Sequence, residues 1–129
     1  RDMRRLIELQ PDNAHAYNAL GYTLADQSIR LDEALALINR AIELQPEDPF
    51  ILDSLGWVHY RLGSYGLAVG SLRKAFELRS DPEIAAHLGE VLWAQGRFEE
   101  ARDIWDLGLG HEDGAKNLVL QETIRRLVP

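Results

Sequence analysis

Apolar residues recur at intervals of three and four along most of the chain, and the pattern breaks at regular distances. That spacing sets apolar side chains on one face of a helix. The breaks fall at Gln10-Pro11, Ser28–Arg30, Gln45-Pro46, Gly63, Arg79–Asp81, Gly96 and Gly110–Gly114. Proline cannot continue the helical hydrogen-bond ladder, and glycine lets the chain turn. The pattern predicts helices over residues 1–9, 13–27, 31–44, 48–62, 65–78, 82–95, 98–109 and 115–128. Asn13 reads as an N-cap, and Asp81 as another, followed by proline at the first helical position. Asp32 and Glu33 stand in a first turn, where acids favour the helix dipole. In the last segment Leu118, Ile124 and Leu127 keep helical spacing, so this helix is expected to close the end of the molecule.

The helices come in pairs that repeat. Leu20-Gly21, Leu55-Gly56 and Leu88-Gly89 are followed by Ala34, Ala68 and Ala101, and then by Ala41, Ala75 and Gly108. The glycines lie 35 and 33 residues apart, and the first three alanines 34 and 33. A period near 34 with a helical pair inside each unit predicts a stacked array of hairpins, all-α throughout. Glycine inside a helix costs about 1 kcal/mol against alanine. Its recurrence implies a close approach between the two helices of each hairpin. Leu20, Leu55, Leu88, Ile38, Leu72 and Trp105 are the expected core knobs. Met3, Leu6 and Leu9, followed by Gln10-Pro11-Asp12, mirror Ile38, Ala41 and Leu44, followed by Gln45-Pro46-Glu47. Residues 1–12 therefore read as the second helix of a preceding unit, with repeats at 13–46, 47–80 and 81–110 and a capping helix at 111–129. On this reading the chain is the C-terminal part of a longer array.

Composition narrows the function. The 129 residues carry a net charge of −7 and no cysteine. An acidic chain lacks the clustered Lys and Arg that nucleic-acid binding needs. Without cysteine there is no disulfide, no Cys-based zinc site and no thiol nucleophile. No apolar run approaches the roughly 18–20 residues that span a bilayer. His15, His59, His87 and His111 have no partner at metal-ligand spacing on one helix. His111-Glu112-Asp113 reads as a polar turn, and Gly63-Ser64-Tyr65-Gly66 lacks phosphate-loop spacing. Asp53, Ser54 and His87 suggest a hydrolytic trio, but no strained nucleophile turn or oxyanion site accompanies them. The expectation is a non-catalytic protein with no metal and no cofactor.

The repeated positions resemble the tetratricopeptide repeat, over roughly residues 1–110. The match places Ala14, Pro49 and Pro82 first in each repeat and Tyr17, Leu52 and Ala85 fourth. Leu20-Gly21 and its two counterparts then stand seventh and eighth. Repeat one carries an extra residue near Ser28–Leu31, repeat two is one short near Arg79–Asp81, and His59, Ser80 and Gly108 depart from the pattern. The resemblance implies a right-handed superhelix whose concave face is lined by the first helix of each hairpin. The residues it sends there are His15, Asn18, Tyr22 and Asp26 from repeat one, Phe50, Asp53, Trp57, Tyr60 and Arg61 from repeat two, and Glu83, Glu90 and Trp93 from repeat three. Aromatic anchors give large contact area at low entropy cost. Tyr22, Trp57 and either Trp93 or Tyr60 would form a row among the acids. The expected partner is a protein or peptide segment with apolar anchors and basic groups. The carboxylate clamp found in some family members is not matched: Asn18 fits, but Tyr22, Asp53, Ala86 and Glu90 do not.

Three segments, Leu20–Asp26, Leu52–Trp57 and His87–Trp93, also resemble the C-terminal repeats of Gram-negative outer-membrane-associated lipoproteins. That resemblance implies a periplasmic adaptor, with the cytoplasm as the alternative location. The competing functions are self-association through the open N-terminal end and a regulatory module attached to an enzyme domain.

Overall fold

The computed structural model describes residues 2–111 and 113–129. Arg1, at the head of the first expected helix, and Glu112 of the polar turn lie outside the described residues. The helices are α1 (Asp2–Leu9), α2 (Ala14–Asp26), α3 (Leu31–Leu44), α4 (Pro49–Arg61), α5 (Tyr65–Leu78), α6 (Pro82–Ala94), α7 (Phe98–Leu109) and α8 (Leu118–Leu127). A short 3-10 turn, Gly114–Lys116, precedes α8. Among the described residues there is no strand. Helices α2 and α3, α4 and α5, and α6 and α7 form antiparallel hairpins, and each hairpin stacks on the next.

Local chemistry sets the helix ends. Asn13, Asp48 and Asp81 accept from backbone N–H groups of α2, α4 and α6. Pro49 and Pro82 open α4 and α6 where no N–H is needed. All three first helices end in the same way. The N–H of Ser28, Gly63 and Gly96 bonds back three residues, and the following N–H bonds back five. This is the Schellman motif, which needs a left-handed residue at its turn. Gly63 and Gly96 supply it with φ of 85° and 79°. Hairpin one uses Ser28 at φ 54° and then Arg30 at φ 48°. The extra residue expected near Ser28–Leu31 is thus absorbed by two left-handed positions rather than one.

The repeated glycines act as expected. A Cβ on Gly21 would lie 2.7 Å from Ile38, and one on Gly56 2.5 Å from Leu72. A Cβ on Gly89 would overlap the Trp105 indole. The off-pattern Gly108 has a matching role: a Cβ there would lie 2.6 Å from that of Ala85 and 3.1 Å from Leu120 of α8. Ala34, Ala68, Ala101, Ile38, Leu72 and Leu88 are fully buried, and Trp105 is nearly so.

The last helix differs from its sequence reading. The pattern predicts a helix over 115–128 with Leu118, Ile124 and Leu127 at helical spacing. Asn117 instead caps the helix by accepting from the Leu120 N–H at 2.9 Å, so α8 starts at Leu118. Leu118 is 77% exposed, and the inward face is Leu120, Thr123, Ile124 and Leu127. Helix α8 lies chiefly on α6 and only lightly on α7. This placement brings its side chains to the concave face.

Candidate functional site

The first helices α2, α4 and α6 line one face of the stack. There a cavity of about 370 Å³ is bounded by Tyr22 and Asp26 of α2, Trp57 and Arg61 of α4, His87 and Glu90 of α6, and Val119, Thr123 and Arg126 of α8. Its centre is a stacked set of rings. The His87 imidazole lies 4.1 Å from the Trp57 indole, centroid to centroid, at 28°. The Arg61 guanidinium covers the same indole at 4.9 Å. The Tyr60 ring adds a tilted contact to Trp57 at 5.0 Å. Trp57 is only 4% exposed, and its indole N–H donates to Asp26 at 3.2 Å.

The acids are engaged from within. Both Asp53 oxygens lie within 3.1 Å of His87 Nδ1, the nearer at 2.8 Å. His87 Nε2 meets the Tyr22 hydroxyl at 3.4 Å. Glu90 accepts from Arg126 at 2.6 Å and from the Tyr60 hydroxyl at 3.1 Å. Asp26 lies 3.5 Å from Arg61. Burial on its own would lower the His87 pKa. The Asp53 carboxylate, helped by Glu90 and Glu83, outweighs it and holds the imidazole above its usual value. Burial, then the Asp26, Asp53 and Glu83 charges, raise the Tyr22 phenol. Burial and then Glu90 push Tyr60 up to about 12. Both phenols therefore remain protonated near neutral pH.

The structure divides the residues that the sequence sends to the groove. Tyr22, Asp26, Trp57, Arg61 and Glu90 meet at the cavity, while Asp53 and Tyr60 support it from behind. Phe50 lies further along α4, 45% exposed and 5.8 Å from the Arg79 guanidinium. His15 and Glu83 are exposed, and Asn18 is half-buried with its Oδ1 unpartnered among the described residues. Trp93 does not join the aromatic row. It stacks on Trp105 at 5.6 Å and meets Phe98 edge-on at 4.5 Å, inside hairpin three. The row runs Tyr22, His87, Trp57, Tyr60: it takes the Tyr60 alternative and inserts His87.

Trp57 also differs from expectation. At 4% exposure, with His87, Arg61 and Tyr60 against its rings, it is a packing residue, not an open anchor. The premise of a basic partner weakens too, because the cations that meet these acids come from the same chain. The hydrolytic trio is not assembled: Ser54 donates to the Phe50 carbonyl at 3.1 Å, and His87 faces Tyr22. His87 stands 34 residues after Asp53, one beyond Ala86, the match of Asp53 in the next repeat, so the contact runs between neighbouring first helices at offset positions. Nothing in the sequence placed Val119, Thr123 and Arg126 here, since that depends on the angle of α8.

Comparison with known proteins fits this architecture. The tetratricopeptide repeat family profile matches residues 1–49 and 54–109. The chain belongs to the tetratricopeptide repeat family. Proteins of this family act as protein–protein interaction scaffolds and are generally non-catalytic. The chain is 53% identical over 90 residues to TPR repeat-containing protein PA4667 of Pseudomonas aeruginosa, covering 70% of this chain and 15% of that protein. The chain thus spans a small part of that relative's length. It also resembles the solved structure of TTC0263, a thermophilic TPR protein of Thermus thermophilus. There the TM-score is 0.81 at 26% identity, covering 98% of this chain and 69% of that one. The first TPR of Spaghetti (RPAP3), solved with an HSP90 peptide SRMEEVD, matches with TM-score 0.74 at 21% identity, covering 88% and 91%. Among the described residues no helix is long and apolar enough to cross a membrane.

Proposed function

We propose that this chain is a non-catalytic binding module that takes a peptide segment of a partner protein along its concave face. The observation that carries the reading is the cavity where α2, α4, α6 and α8 converge, lined by polar side chains held in fixed positions. Phe50 extends the surface along α4 as an exposed aromatic contact. Side chains already locked by neighbours lose little entropy when a segment docks. The peptide bound to the RPAP3 domain supports the same use of the fold. We propose further that this chain works in the periplasm as part of a larger bacterial envelope adaptor, as the likeness of Leu20–Asp26, Leu52–Trp57 and His87–Trp93 to outer-membrane-associated lipoprotein repeats implies.

The test is a selection of displayed decapeptides on the chain, followed by amide chemical-shift mapping of the tightest binder. Shifts concentrated at Tyr22, Phe50, Glu83 and their neighbours are expected. Shifts confined to α5 and α7, or no selected peptide, would overturn the reading.

A further inference from the structure

We infer that the cavity recognises a carboxylate side chain, aspartate or glutamate, within the partner segment and holds it between Arg61 and Arg126. This assignment rests on the groove reading above and specifies its chemistry.

The argument counts which hydrogen-bonding groups are spent. Glu90 gives one oxygen to Arg126 and the other to Tyr60. Asp53 gives both to His87. The side chains of Asp53 and Glu90 are 10% and 9% exposed, and both carboxylates are already engaged by partners within the chain. The Trp57 indole has His87 on one side, Arg61 over its ring and its N–H on Asp26. At 4% exposure it offers little surface either.

What remains open is mostly donor. A guanidinium carries five N–H donors. Arg126 directs one nitrogen to Glu90, and Arg61 brings one to 3.5 Å from Asp26. Their side chains are 48% and 31% exposed. Tyr22 and Thr123, each with a hydroxyl, line the same cavity. Among the described residues of this rim, Asp26 is the one acid with substantial exposure. Two guanidiniums face two carboxylates, Asp26 and Glu90, so the charges balance, but each guanidinium keeps N–H donors that neither acid uses. The planar fork of arginine suits a carboxylate better than any other common side chain does.

Both guanidiniums are already oriented, one by Glu90 and one by Trp57 and Asp26, so little ordering remains at binding. The net charge of −7 gives an acidic segment no long-range attraction. Selectivity therefore comes from contact inside the cavity. The site uses the C-terminal end of α4 and the α8 helix, and not the positions of the carboxylate clamp.

The experiment takes the decapeptides selected on the whole chain, synthesised with amidated C-termini. Affinities are measured for the wild type, Arg61→Gln, Arg126→Gln and Phe50→Ala. The expected result is an Asp or Glu at one fixed peptide position. Changing it to Asn or Gln should weaken binding at least about tenfold, and no further in Arg126→Gln. The peptide change cannot disturb the protein fold, so the test survives any structural effect of freeing Glu90. Peptides that depend on Phe50 but carry no fixed acid, or carry a fixed Lys or Arg, overturn this inference and leave the groove reading intact. Binding that requires a free C-terminal carboxylate overturns the side-chain assignment. Selection of no groove-dependent peptide overturns both.

Discussion

His87 Nδ1 lies 2.8 Å from a carboxylate oxygen of Asp53, and the pair joins α4 to α6 beneath the concave face. Both side chains are buried. A buried charge is tolerated when it is paired and hydrogen-bonded. Here the pair also fixes the imidazole plane on which Trp57 stacks, so one contact between hairpins sets the geometry of the cavity.

That pair makes stability depend on pH. The folded His87 pKa is raised above its unfolded value near 6.5. Its contribution is then fully present below the unfolded value and is lost as pH rises through the folded one. The melting-temperature gap between wild type and His87→Gln should be widest below about pH 6 and narrow as pH rises above it. Thermal melts across that range check it, and a constant gap would refute the pairing. Asp53→Asn should remove the narrowing.

Trp57→Ala should unfold the chain in part and not only weaken partner binding. The indole is 4% exposed and touches α2, α4 and α6 at once. Removing a buried tryptophan costs about 3–5 kcal/mol. Urea denaturation measures the loss, and a change under about 1 kcal/mol would show that the stack carries little stability.

Ser28→Gly should stabilise hairpin one. Ser28 occupies at φ 54° the left-handed position that Gly63 and Gly96 fill in the other hairpins. A side chain there costs roughly 1 kcal/mol or more. The reverse change, Gly63→Ala, should destabilise by a similar amount. Chemical denaturation of both variants gives the two signs.

Two alanine substitutions at helix glycines should move stability in opposite directions. Gly89→Ala drives a Cβ into the Trp105 indole, which is 2% exposed and has no room to retreat. Overpacking of this kind costs about 1–3 kcal/mol. Gly70 in α5 has nothing within 4 Å of an added Cβ, and alanine there should gain up to about 1 kcal/mol in helix propensity. Equal losses at both sites would mean that helix packing is not what selects these glycines.

The sequence by itself determined the hairpins, their order and most of their ends. Those features rest on interactions within a few residues: the Asn13 and Asp81 caps, the Gly63 and Gly96 turns, and the apolar spacing that recurs every 34 residues or so. The close approaches at Gly21, Gly56 and Gly89 were legible for the same reason, since each copy repeats the constraint. Periodicity also named the helices that line the concave face. It did not say which groove residues remain available. Trp57 loses its open face to Arg61 and to His87, thirty residues further on. Glu90 is neutralised by Arg126, 36 residues away, on a helix whose start is set by Asn117. Trp93 turns into hairpin three because Trp105 and Phe98 cover it. Only the tertiary structure decided these outcomes, because charge pairing and ring stacking depend on distances between elements that no local pattern encodes.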